Sequence, residues 1–404
     1  MTRNLLMTAA LMGTAALALP SPAAEELLVE RQSANCTVSG NYPSVNVAKL
    51  PDPFTFASGT KVATKADWVC RQQEISKIMQ QYELGDLPPP PDKVEATLSG
   101  NTMSVKITVG SNTATISSNI KKPSGGGGSA GGPAIVTIGG SSLPIPGTVG
   151  TVSFGNDAFA QQNGGNSRGV GTFYNLFGKS HSAGALTAWA WGVGRLIDGL
   201  EQLGAAKTGI DPTKLGVTGC SRNGKGAFVV GALNERIALT LPQESGSGGA
   251  ACWRVSDSQK QKGANIQTAS QIVGENVWFS PRFNQHTSKT SSIPEDHHML
   301  AGLVAPRGLF VMENDIDWLG PVSTTACMRA GRLIYTALGA PEAMGFDLTG
   351  GHGHCQFPSA SRANLDAYIN KYLLGTGTPP NNLEKSPSNV NMADWVDWTP
   401  PTLT

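Results

Sequence analysis

Apolar positions change period several times along the chain. Trp68, Ile75, Ile78, Met79 and Tyr82 recur at helical spacing, which predicts a helix over Asp67–Tyr82. Leu87-Pro88-Pro89-Pro90-Pro91 ends that region. The runs Val94–Leu98, Met103–Val109 and Thr113–Ile120 read as strands, and their short spacers of Gly, Ser and Asn predict an antiparallel meander. Gly125–Gly132 is a glycine loop. After it the pattern changes to short apolar runs alternating with longer helical ones. Ala134–Ile138, Leu215–Thr218, Ile237–Leu241, Leu309–Met312 and Gly345–Leu348 read as strands. Ala185–Leu203, Gly224–Asn234 and Ala360–Leu374 read as helices, the last with Leu365, Tyr368, Ile369 and Tyr372 on one face. Such alternation implies a mainly parallel sheet with helices on both sides. Residues 376–404, rich in Pro, Asn and Trp, are expected to wrap the surface.

Composition narrows the class. The 404 residues carry 30 Lys+Arg against 29 Asp+Glu, a formal net charge of +1. A polyanion binder needs excess positive charge to displace counterions, so no nucleic-acid partner is expected. Arg3 precedes the apolar run Leu5–Leu19, which Pro20-Ser21-Pro22 breaks, and small residues follow. This is the pattern of a secretory signal peptide over residues 1–24, with a short propeptide ending near Arg31. No later run approaches the length of a membrane span. The expected location is extracellular, and neither membrane nor protein partner is expected. In that setting the six cysteines predict three disulfides, although spacing alone leaves about fifteen pairings open. Asn35-Cys36-Thr37 is a weak glycosylation sequon.

The most informative stretch is Val217-Thr218-Gly219-Cys220-Ser221-Arg222-Asn223-Gly224-Lys225-Gly226. A strand runs into a sharp turn and then a helix, an arrangement that thrusts a serine clear of the sheet. Asn223 stands where the usual G-x-S-x-G elbow has its second glycine. A nucleophilic serine needs a base, and the base needs a carboxylate. Of six histidines, His352 and His354 in Gly350-Gly351-His352-Gly353-His354-Cys355 follow a predicted strand near the end of the chain. That is where the order serine, acid, histidine of α/β-hydrolases places its base. Cys355 is expected in a disulfide, so a metal-binding reading of this cluster is set aside. Glu244 follows the strand Ile237–Leu241, and Asp315 and Asp317 follow Leu309–Met312. The residues alone leave all three open as the acid.

The elbow octapeptide Gly219–Gly226, together with Gly351-His352-Gly353-His354-Cys355-Gln356-Phe357, closely resembles the fungal glucuronoyl esterases of carbohydrate esterase family 15. Leu241-Pro242-Gln243-Glu244-Ser245-Gly246 and Asp296-His297-His298-Met299-Leu300 support the match. The resemblance extends over residues 36–395 and implies one catalytic domain of α/β-hydrolase fold, a three-layer αβα sandwich with an antiparallel N-terminal part. It implies a Ser221–Glu244–His354 triad, Arg222 at the oxyanion, and Lys225, Gln267, Glu275 and Trp318 on the sugar. Gln267 and Glu275 fall in a polar stretch over 254–280 that shows little regular pattern. The disulfides it implies are Cys36–Cys70, Cys220–Cys355 and Cys252–Cys327. The expected activity is hydrolysis of the ester between 4-O-methyl-D-glucuronic acid on glucuronoxylan and a lignin alcohol, with no metal or cofactor. An acetyl or feruloyl xylan esterase, and a non-catalytic carbohydrate binder on the same scaffold, are the alternatives.

Overall fold

The computed structural model describes residues 36–125 and 128–404. The predicted signal peptide, the propeptide end near Arg31 and the Asn35 sequon position lie outside the described residues. Helix α1 (Lys65–Met79) starts in a capping box: Thr64 Oγ1 accepts the Asp67 N–H at 3.0 Å and Asp67 Oδ2 accepts the Thr64 N–H at 2.9 Å. It buries Trp68, Ile75, Ile78 and Met79, then runs into a π-helical turn, Gln80–Leu84.

The predicted meander is β1 (Lys93–Ser99), β2 (Thr102–Val109) and β3 (Asn112–Lys121), paired antiparallel. Met103, Val105 and Ile107 alternate inward along β2, as a sheet with one buried face requires. Strand β4 (Gly132–Ile138) is buried at all seven positions, consistent with its mostly apolar sequence and central place. Strand β5 (Gly150–Phe154) was not legible in the sequence, because Gly150, Thr151 and Ser153 dilute its two apolar residues. It is the seam of the molecule. It pairs antiparallel with β3 through Ile120 and Lys121, and parallel with β4 along its whole length.

Helix α2 (Ala185–Leu203), strand β6 (Ile210–Cys220), helix α3 (Arg222–Leu233) and strand β7 (Ile237–Gln243) follow. Helices α4 (Trp253–Gln261) and α5 (Ala269–Glu275) occupy the stretch that the sequence left irregular. Helix α6 (His297–Val304), strand β8 (Gly308–Glu313), helix α7 (Pro321–Ala337), strand β9 (Met344–Leu348), helix α8 (Arg362–Ile369) and the two-residue β10 (Glu384–Lys385) complete the fold. The sheet order is β1-β2-β3-β5-β4-β6-β7-β8-β9-β10, parallel from β5 onward. Helix α7 escaped the apolar pattern because polar side chains share its buried face. Thr325 Oγ1 donates to the Pro321 carbonyl at 2.7 Å, and Ser323 Oγ to the Cys252 carbonyl at 2.8 Å.

Strand residues alternate between two cores. Ile135, Leu239, Leu241 and Phe310 pack with Leu365, Tyr368 and Ile369 of α8. Val136, Val217, Leu309 and Val311 face the larger core with α1, α2 and α3. Within residues 376–404 only Pro379 and Leu403 are buried, and the segment lies along the surface. It is tied back by Trp398 Nε1, which donates to the Leu50 carbonyl at 2.9 Å. Disulfides join Cys36 to Cys70, Cys220 to Cys355 and Cys252 to Cys327, the three pairs that the resemblance implies.

Candidate active site

Ser221 sits between the end of β6 and the start of α3, with φ 59° and ψ −126°. A residue with a Cβ rarely adopts positive φ, and its place here is enforced by the close passage of strand and helix. A Cβ on Gly219 would lie 2.4 Å from the Asn223 carbonyl oxygen, and one on Gly224 would lie 2.4 Å from the Gln243 carbonyl oxygen. Asn223 fits where a glycine is usual because Gly139 makes room for it: a Cβ there would lie 2.2 Å from Asn223 Nδ2. Asn223 Oδ1 accepts from Asn156 Nδ2 at 3.0 Å and Gln162 Nε2 at 3.2 Å, so the departure from the elbow pattern is built into a polar network.

Glu244 follows β7, is 1% exposed and has φ 44°. Its Oε2 accepts from His354 Nδ1 at 2.7 Å and from the Cys355 N–H at 2.9 Å. With Nδ1–H directed at the carboxylate, Nε2 of His354 is the free acceptor, the tautomer a general base needs. Asp315 and Asp317 are exposed, and the carboxylate of Asp315 lies against Gly350. Of the three acids left open by the residues, Glu244 is the one bonded to His354. His352, the other histidine of the motif, donates from Nε2 to the Thr349 carbonyl at 2.6 Å, and its Nδ1 lies 3.2 Å from Asn314 Nδ2. The Cys220–Cys355 bridge ties the residue before Ser221 to the residue after His354.

Ser221, Arg222, Lys225, Gln267, Glu275, Trp278, Trp318 and His354 line one cavity of about 290 Å³. All the proposed catalytic and sugar-binding side chains except the buried Glu244 therefore meet in one space. Gln267 Nε2 donates to Glu275 Oε2 at 3.0 Å, and the Gln267 N–H reaches the Trp318 carbonyl at 3.3 Å. Trp318 stands edge-on to the His354 ring, with centroids 4.8 Å apart. Lys225 is buried and its Nζ donates to the Ser245 carbonyl at 2.5 Å. Burial pushes its pKa down to about 8, against the opposing pull of Glu313 and Glu275.

Two residues went unread in the sequence. Trp278 forms a wall of the cavity, with Lys225 Nζ 5.6 Å and Arg222 Cζ 5.8 Å from its ring centroid. Its Nε1 donates to Gln162 Oε1 at 2.8 Å. It sits in an irregular link, where periodicity carries no signal. Glu313 ends β8, buried beside the acid turn. Its position at a strand end is a signal, one that Asp315 and Asp317 just beyond it share.

This site can run acyl transfer by a serine, an imidazole and a buried carboxylate, with Arg222 and the N–H groups at the start of α3 facing developing negative charge. Among the described residues, no group of three or more His, Cys, Asp or Glu is placed to hold a metal ion.

The chain matches the family "Glucuronyl esterase, fungi" over residues 105–339. It is 63% identical to the 4-O-methyl-glucuronoyl methylesterase of Neurospora crassa, over 98% of this chain and 99% of that protein. Identity to the Thermothelomyces thermophilus enzyme of the same name is 61%, over 97% of each. The glucuronoyl esterase of Sporotrichum thermophile superposes with a TM-score of 0.89 at 63% identity, covering 91% of this chain and 100% of that one. A serine-to-alanine mutant of the Sporotrichum thermophile esterase, in complex with methyl 4-O-methyl-β-D-glucopyranuronate, gives 0.89 at 62% identity, over 92% and 100%.

Proposed function

Because this chain belongs to the fungal glucuronoyl esterases, we propose that it cleaves the ester joining 4-O-methyl-D-glucuronic acid of glucuronoxylan to a lignin alcohol, with Ser221 as nucleophile. That it is a carboxylic ester hydrolase acting on 4-O-methyl-glucuronate esters follows from the family. The observation that carries the reading of the triad is the 2.7 Å bond to buried Glu244 from Nδ1 of His354, which lines the same cavity as Ser221.

In this reading His354 Nε2 takes the Ser221 hydroxyl proton as Oγ attacks the ester carbonyl. Arg222 and an elbow N–H meet the oxyanion, each well-placed donor contributing roughly 3–4 kcal/mol. The imidazolium returns its proton to the leaving alcohol, and Glu244 stabilises the charged ring meanwhile. Water, deprotonated by His354, then attacks the acyl-enzyme; the Ser221 Oγ–acyl bond breaks, the imidazolium returns its proton to Oγ, and the glucuronate is free. Lys225, Gln267, Glu275 and Trp318 hold the sugar ring. The apolar leader and three disulfides support secretion, with the enzyme working outside the cell.

The test compares wild type and Ser221→Ala on benzyl glucuronate, methyl 4-O-methylglucuronate, p-nitrophenyl acetate and methyl ferulate. Wild type should prefer both glucuronate esters by at least about tenfold in kcat/KM. Ser221→Ala should lose on the order of 10⁴-fold in kcat while still binding glucuronate. A folded Ser221→Ala enzyme retaining a tenth of wild-type turnover rules out this nucleophile. Preference for acetate or ferulate assigns the pocket to a different ester.

A further inference from the structure

We infer that Glu313 is a positioning residue for the reaction: its carboxylate organises the left-handed turn Glu244–Ser245–Gly246 and thereby aims Glu244 at His354. The turn is an unusual one. Glu244 has φ 44° and Gly246 φ 53°, and the first of these is costly for a residue with a Cβ. Successive N–H groups in such a turn converge to form a concavity that binds an anion. Here the anion is a side chain. Glu313 Oε1 accepts from the Ser245 N–H at 2.7 Å, from Ser245 Oγ at 2.7 Å and from the Gly246 N–H at 3.2 Å. Glu313 Oε2 lies 3.4 Å from the same Gly246 nitrogen.

The other side of the turn is gripped as well, since Lys225 Nζ donates to the Ser245 carbonyl. The N–H and the carbonyl of Ser245, the residue next to Glu244, are therefore both held by buried, ionisable side chains. Strand pairing supplies the placement. Gln243 of β7 lies opposite Met312 of β8, and the Glu244 N–H donates to the Met312 carbonyl at 2.7 Å. The next residue on β8, Glu313, falls under the turn. Among the described residues, every hydrogen bond of the Glu313 carboxylate goes to Ser245 or Gly246, while the His354 bond goes to Glu244. Glu313 thus acts on the base only through the acid. Burial, helped by the nearby Glu244 charge, raises the Glu313 pKa to about 7 against the lowering effect of these bonds. Such a group is costly to keep unless the site needs it.

The inference rests on the reading of Glu244 as the acid, so the experiment separates the two. Glu313→Ala and Glu313→Gln are made in the wild-type and the Glu244→Gln backgrounds, and kcat, KM and the thermal midpoint are measured on benzyl glucuronate. A displacement of about 1 Å at a catalytic group can cost ~10²-fold. Glu313→Ala should therefore lower kcat by about that factor in the wild-type background, with KM within about threefold. Glu313→Gln, which keeps an oxygen for the turn, should recover at least a tenth of wild-type kcat. In the Glu244→Gln background either change should cost less than about threefold, because there is no longer a carboxylate to aim. Equal losses in both backgrounds show a general structural role and overturn the inference. So does a folded Glu313→Ala enzyme with more than a third of wild-type kcat. If Glu313→Ala does not fold, the same comparison is read with Glu313→Gln, where a loss confined to the Glu244 background supports the inference and an equal loss or none overturns it. A fully active Glu244→Gln enzyme overturns the acid assignment itself, and this inference with it.

Discussion

Ser221 and Glu244 share a property that no residue pattern states: both hold positive φ without being glycine. Each is kept there by neighbours that leave no alternative. At Ser221 the constraint is the approach of β6 to α3, and at Glu244 it is the pair Glu313 and Lys225. The same neighbourhood distinguishes the candidate acids by geometry. A carboxylate orients an imidazole only within hydrogen-bond reach, and Asp315 and Asp317 face solvent while Glu244 lies 2.7 Å from Nδ1. Glu244→Gln should accordingly lower kcat by several decades with little change in KM. Asp315→Asn and Asp317→Asn should each stay within about threefold of wild type. Steady-state kinetics on benzyl glucuronate checks this, and a dead aspartate variant beside an active Glu244→Gln would move the acid to the later strand.

At the scale of elements, the elbow works because two glycines let a strand and a helix touch. Gly224 belongs to α3, and its Cβ position lies 2.4 Å from a backbone oxygen of β7, which cannot swing aside as a side chain would. Gly224→Ala should destabilise the fold by about 1–3 kcal/mol, the usual cost of overpacking, and should lower esterase activity with it. Gly274 in α5 is the matched control: nothing lies within 4 Å of its Cβ position, so Gly274→Ala should be neutral or stabilise by up to about 1 kcal/mol. Urea midpoints of the two variants measure the contrast. Elements with a clean apolar period were legible, and those without one were not. Met103, Val105 and Ile107 announced β2, whereas α7 buries hydrogen-bonded serine and threonine hydroxyls, and β5 is diluted by small polar residues. Gln267 and Glu275 sat in a stretch that looked irregular, yet α5 and the Gln267–Glu275 bond give it a definite shape.

At the scale of the whole molecule, stability should carry a pH signature from two adjacent histidines at the start of α6. His297 places Nε2 2.8 Å from Glu83 and Nδ1 2.5 Å from the Gly249 carbonyl. Both partners are acceptors, a setting that favours the doubly protonated ring. Burial alone would lower its pKa, but the Glu83 charge and these bonds raise it, and its contribution is lost only as pH rises. His298 goes the other way. Burial lowers its pKa to about 4, with its Nε2 donating to the Pro51 carbonyl at 2.8 Å. A histidine depressed in the folded state contributes stability above its unfolded pKa of about 6.5, lost as pH falls toward 4 and amounting to roughly 3 kcal/mol. Urea unfolding at those two pH values should show a drop that is larger in wild type than in His298→Gln, which can still donate to Pro51, by about that amount. An equal drop in both would remove His298 as the cause. Both histidines stood in the sequence as part of a family motif, but their opposite charge states could not be read there. By itself the sequence determined the strand and helix alternation, the elbow serine and the late histidine, because each is a local pattern of period, small residues and order along the chain. The residues alone left three acids open and the resemblance implied Glu244; the tertiary structure shows which carboxylate meets His354, what holds it, and how one cavity gathers residues from position 221 to 354. Those are contacts between segments far apart in the chain, set by strand register and burial, and no local pattern encodes them.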